Sequence, residues 1–124
     1  LDDYSVEGMR ALVVEDNELN MEIAEFLLTN AGAEIIRASN GKEAVEAFAK
    51  SGVGEVNVIL MDIMMPVMDG MEATREIRTM NRSDAFCLYI PLFCTWILLY
   101  ARFIVNENYM SFLFCCYKSV TTAI

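Results

Sequence analysis

The chain predicts an open parallel α/β sheet with helices on both faces, on three observations. Short apolar runs alternate with helical patterns over the first 85 residues, the connections are brief, and two of the runs stop abruptly at acids. The first run, Ala11-Leu12-Val13-Val14, is apolar at every position, as suits a central strand covered on each side, and ends at Glu15-Asp16. Asn17 is a good N-cap for the helix that follows, in which Leu19, Ile23, Phe26 and Leu27 recur at helical spacing. Gly32 closes that helix, and Ala33 to Ala38 reads as a second strand centred on Ile35-Ile36.

Ser39-Asn40-Gly41 is a turn, and Asn40 with Glu43 three residues on resembles a capping box. Ala44, Val45 and Phe48 supply the buried stripe of a second helix, which Gly52 and Gly54 end. Val56 to Met61 is the third strand and delivers Asp62 at its carboxyl end. Beyond a loop with Pro66 and Asp69-Gly70, Met71 to Met80 predicts a third helix with Ala73 and Ile77 inward.

Ligands of such sheets sit beyond the carboxyl ends of the strands, where strand order reverses. If the first and third strands are neighbours, Glu15, Asp16 and Asp62 converge on one crevice. Packed carboxylates repel one another and call for a cation. An all-oxygen set with room for water and phosphate suits Mg²⁺. A carboxylate beside such an ion can itself attack phosphorus. The chain contains no histidine, which excludes Ser-His-Asp and Cys-His chemistry and His-ligated metals, but phosphoryl transfer rests on positioning and charge neutralisation. A net charge of −9 argues against a nucleic-acid surface.

Val13-Val14-Glu15-Asp16-Asn17 and Leu60-Met61-Asp62-Ile63-Met64-Met65-Pro66-Val67-Met68-Asp69-Gly70 closely resemble the two hallmark segments of response-regulator receiver domains. The resemblance covers residues 9–85 and is nearest to receivers attached to hybrid sensor histidine kinases. It implies the flavodoxin-like order 2-1-3-4-5, with residues 1–8 as linker and 9–124 as a receiver-like domain. It implies Asp62 as phosphoacceptor, Asp16 and Asp62 as direct Mg²⁺ ligands, Glu15 acting through water, and the Met64 backbone carbonyl as a further ligand. It makes Pro66 and Asp69-Gly70 structural. The implied partner is a histidine kinase or phosphotransfer domain, and the implied setting is cytoplasmic, with any membrane contact made through a parent kinase. The absence of a starting Met fits a piece of a longer protein.

Composition changes near Ala85. Seventeen acids and seven bases precede Phe86, whereas only Arg102, Glu107 and Lys118 are charged after it. All four cysteines and ten of the aromatics lie in residues 86–124, and all six glycines lie before them. A complete receiver ends its fourth strand in Ser or Thr and its fifth in Lys-Pro. Thr95 and Lys118 take those positions by alignment, but Lys118 precedes Ser119, and Trp96 to Cys116 shows no polar helix face. Three readings stand for this segment: a rebuilt domain end, an out-of-frame or unrelated stretch, or a membrane segment. The uncharged run Phe86 to Ala101 is sixteen residues and contains Pro91, short of the roughly 20 apolar residues that a spanning helix needs.

The expected function is therefore a phosphorelay acceptor rather than a turnover enzyme. The alternative is a degenerate pseudo-receiver or truncated fragment that binds partners without signalling. A Mg²⁺-dependent phosphatase with an aspartate nucleophile would place a second Asp at position 64, where this chain has Met64.

Overall fold

The computed structural model describes residues 7–85 and 88–92. Strands and helices alternate within them: β1 (Arg10–Val14), α1 (Glu18–Asn30), β2 (Glu34–Ala38), α2 (Gly41–Lys50), β3 (Val58–Asp62), α3 (Gly70–Arg78) and β4 (Leu88–Leu92). All strands pair parallel, in the order β2-β1-β3-β4. This is the predicted receiver order as far as the described residues extend. The fifth strand, Thr95 and Lys118 lie outside them.

Because successive strand residues face opposite ways, β1 and β3 each feed two cores. Ala11, Val13, Val58 and Leu60 pack with Met21 and Ala24 of α1. Leu12, Val14, Ile59 and Met61 pack on the other face with Ala44 and Phe48 of α2 and Ala73 and Ile77 of α3. Uninterrupted apolarity in the first strand thus has the cause expected of it, coverage on both sides.

Helix ends follow side-chain chemistry. Asn17, Asn40 and Asp69 each accept the backbone N–H three residues on, at 2.8–3.0 Å. Glu43 reaches back to the N–H of Ser39 at 2.7 Å, one residue beyond the N-cap N–H that a full capping box bonds. After α1, Gly32 takes φ +98°, its N–H bonds Thr29 O, and the Ala33 N–H bonds Leu28 O, a Schellman closure.

Three expectations need adjustment. Leu19 and Phe26 are 65% and 66% exposed, and the buried stripe of α1 is Met21 and Ala24, with Ile23, Leu27 and Leu28 partly covered. The second helix stops at Lys50 with Ser51 as its cap, before either glycine. The third strand starts at Val58: the Asn57 side chain accepts the Arg10 N–H while the Asn57 N–H donates to Arg10 O, and Val56 is still buried.

The C-terminal end of α2 is held by Arg82, from the connection after α3. Its guanidinium donates to Phe48 O, Ser51 O and Gly52 O at 2.6, 2.9 and 3.1 Å and lies 4.4 Å from the Phe48 ring centroid. It also pairs with Asp84, which accepts the Gly54 N–H at 2.9 Å. The guanidinium thus gathers three carbonyls at the helix end, of which Phe48 O and Gly52 O also accept backbone N–H groups. Arg82→Ala is expected to lower stability by about 2–4 kcal/mol, since it removes charge-assisted bonds and strands Asp84. Urea titration checks this. Pairing with Arg82 holds Asp84 below the usual carboxylate range. A lowered folded-state pKa means that this contribution is present above that range and fades as acid titrates Asp84.

Candidate phosphoacceptor site

The site is assembled at the carboxyl ends of β1 and β3. Their register pairs Val14 with Met61, so Glu15 and Asp62 leave adjacent strands at the same level. Carboxylate oxygens of Glu15, Asp16 and Asp62 lie within 4.8 Å of one another. All three predicted acids are therefore brought together, with Glu15 buried, Asp62 half-buried and Asp16 exposed.

Electrostatics follow from that crowding. Burial raises the Asp62 pKa, and repulsion from Asp16 adds to the rise, against the stabilising N–H groups of Met64 and Ile63. Burial likewise raises Glu15, with repulsion from Asp62 adding to it. Opposing this, the Asn17 N–H donates to Glu15 Oε1 at 3.2 Å, and the Asn20 side chain favours the charged form. Among the described residues, no basic group is a leading cause in either balance. An all-oxygen, anionic cluster of this kind fits a hard divalent cation: carboxylates are the ligands such ions take, and their mutual repulsion is what the ion relieves.

Beyond Asp62 the chain turns tightly. The Met64 N–H donates to Asp62 Oδ1 at 3.1 Å, while the Met64 side chain is 85% exposed. The Met68 N–H bonds Pro66 O at 2.8 Å across Val67, whose φ is +71°. A two-residue bond closed over a left-handed centre is a strained γ-turn. A β-branched residue there is an outlier. Val67→Asn is expected to raise stability by about 1 kcal/mol, because Asn tolerates positive φ and the exposed valine loses little packing. A thermal melt a few degrees higher would be the readout.

Ile63, Met64, Met65, Pro66, Asp69 and Met71 line an open cleft of about 460 Å³ on the loop that follows Asp62, and none of Glu15, Asp16 and Asp62 lines it. The predicted structural roles of Pro66 and Asp69-Gly70 have concrete form: Asp69 caps α3, and Gly70 donates its N–H to Ile63 O at 2.9 Å. Sequence reasoning missed Asn20, Gly41 and Thr74. Asn20 had a visible signal, a second carboxamide in the first turn after two acids. Thr74 is buried and donates to Gly70 O at 2.6 Å, securing the first turn of α3.

A parallel α/β sheet carrying an acidic triad at its switch point defines a doubly wound protein with its ligand site between β1 and β3. The family model described as "Response regulator receiver domain" matches residues 11–90, and the chain belongs to that family. It is 42% identical over 87 residues to "Response regulator SSK1" of Cochliobolus heterostrophus, covering 70% of this chain and 11% of that protein. It is 45% identical over 75 residues to "Hybrid signal transduction histidine kinase B" of Dictyostelium discoideum, covering 60% and 4%. The chain thus spans a small fraction of these relatives. Among solved structures it resembles the receiver domain of sensor histidine kinase PA1611 of Pseudomonas aeruginosa. That match has a TM-score of 0.62 and 33% identity, and covers 68% and 66% of the two chains. The structure is described as having a magnesium ion coordinated in the active site cleft. The Glu15/Asp16/Asp62 cluster is the receiver's phosphoacceptor site. Among the described residues, no helix is long and apolar enough to cross a membrane.

Proposed function

We propose that Asp62 is the phosphoacceptor of a two-component phosphorelay, and that Mg²⁺ is held by Asp16, Asp62 and the Met64 carbonyl, with Glu15 contributing through water. The convergence of the three carboxylates within 4.8 Å carries this reading. An Asp62 oxygen attacks the phosphorus of a phosphohistidine on a histidine kinase or phosphotransfer domain. The Asp62 O–P bond forms, the P–N bond breaks, and the imidazole leaves with the electron pair and takes up a proton. Mg²⁺, when bound, neutralises the phosphoryl oxygens and the crowded carboxylates. The Met64 N–H fixes the rotamer of Asp62, and the Asn17 N–H and Asn20 favour the charged form of Glu15 against its burial. A cytoplasmic setting is part of this reading.

The test is uptake from acetyl phosphate, read by intact mass. One phosphoryl group is expected with Mg²⁺ and none with EDTA. Uptake by Asp62→Asn at the wild-type rate would overturn the assignment. A second reading, a receiver that accepts phosphate without switching, draws support from the family match ending at residue 90, ahead of Thr95 and Lys118. Phosphorylation that left every amide shift beyond residue 85 unchanged would favour it.

A further inference from the structure

We propose that Gly41, the first residue of α2, is a positioning residue for the loop that joins Asp62 to α3. The inference rests on the proposed function and concerns what holds the proposed Met64 ligand in place.

Gly41 is buried, and its N–H donates to Met68 O at 3.1 Å. A Cβ at this position would lie 2.5 Å from Met68 O, 3.0 Å from Asp69 O and 3.0 Å from the Ala73 Cβ. Backbone conformation does not ask for glycine here: the glycines with positive φ are Gly8, Gly32 and Gly54. In a helix, glycine is otherwise inferior to alanine. Close approach of α2 to the loop is the remaining physical reason for it. Two of the loop's other backbone anchors are its own ends, Met64 to Asp62 and Gly70 to Ile63. Gly41 instead ties the middle of the loop to a helix that is packed into the sheet through Ala44 and Phe48. The span from Ile63 to Asp69 is thereby referenced to the scaffold rather than only to itself. A methyl group at position 41 meets backbone oxygens that have no rotamer by which to retreat, so the loop must shift.

The experiment compares the full wild-type chain with Gly41→Ala and Leu28→Ala, the last a change at the end of α1 in the core on the other face of the sheet. Mg²⁺ affinity is read by calorimetry, and wild-type amide shifts are followed during the titration. Gly41→Ala is expected to weaken Mg²⁺ binding about tenfold, the scale of losing a supporting contact to a ligand. Leu28→Ala is expected to lower the melting temperature while leaving Mg²⁺ affinity within about twofold, as distant sites act independently. The wild-type Gly41 amide is expected to shift in step with that of Ile63. Unchanged Mg²⁺ affinity in Gly41→Ala, or a Gly41 amide that stays still while Ile63 moves, would overturn the inference and leave the proposed function intact. Should Gly41→Ala fail to fold, the wild-type amide decides. A wild-type chain that bound no Mg²⁺ would overturn both.

Discussion

Asp62→Asn is expected to melt at a higher temperature than the wild-type chain in metal-free buffer at neutral pH, while losing all phosphoryl uptake. Three carboxylates share a space in which their oxygens lie within 4.8 Å of one another. Two like charges at such a distance repel by about 3–4 kcal/mol at an effective dielectric of 20, and partial exposure reduces this. Removing one charge should therefore recover about 1–3 kcal/mol in the fold. The isosteric amide keeps an oxygen for the Met64 N–H, so local geometry survives. Mg²⁺ should reverse the ranking, because it stabilises only the chain that binds it: at a hundred times its dissociation constant it contributes about 2.7 kcal/mol. Differential scanning fluorimetry with and without Mg²⁺ reads both effects.

The same cluster fixes a sign for pH. Asp62 and Glu15 have folded-state pKa values raised first by burial and then by repulsion, from Asp16 at Asp62 and from Asp62 at Glu15. A carboxyl with a raised pKa holds its proton in the fold at a pH where the unfolded chain has released it. Metal-free stability from this source consequently rises as pH falls from neutral into the window just above the ordinary carboxylate range. Asp62→Asn should flatten that slope. A wild-type slope of the opposite sign would show that the acids are not crowded as described.

Gly70→Ala should produce the second large effect. A Cβ at Gly70 would lie 2.4 Å from Asp62 O, 2.9 Å from the Ile63 Cα and 3.1 Å from the Asp62 carbonyl carbon. Every one of these atoms is backbone, so no side chain can swing aside. The first turn of α3 would have to separate from the end of β3, giving up the Gly70–Ile63 bond and disturbing the carbonyl adjacent to the acceptor. A loss of about 2–4 kcal/mol is expected, at the upper end of overpacking effects. Gly52→Ala is the control, because its nearest neighbour is Glu55 Oε2 at 3.6 Å. Equal melting temperatures for the two variants would contradict the close packing at Gly70.

What was legible in the sequence had a local cause. Asn17 and Asn40 announced helix starts because capping is a contact within three residues. The acidic pocket was legible because parallel strands of similar length end together. The outward turn of Leu19 and Phe26 was not. Apolar residues occupy much of the circumference of α1, so periodicity leaves the phase of its buried stripe undetermined. Arg82 was equally hidden, since its acceptors are backbone carbonyls some thirty residues away that carry no residue-type signal. Glycine was read as a turn residue throughout, and at Gly41 and Gly70 its meaning is proximity, which only the assembled neighbours reveal.

The two cores also give β1 a parity. Leu12 and Val14 are read by one face, Ala11 and Val13 by the other, and the alternation continues into a buried Glu15 and an exposed Asp16. Inserting or deleting one residue within the strand would hand each core the other's side chains and exchange the two acids at the pocket. Such an error is penalised on both faces at once, before any ligand is present. The orientation of the acidic pair is thus checked by hydrophobic packing several residues upstream, and chemistry at the strand end inherits its accuracy from the interior.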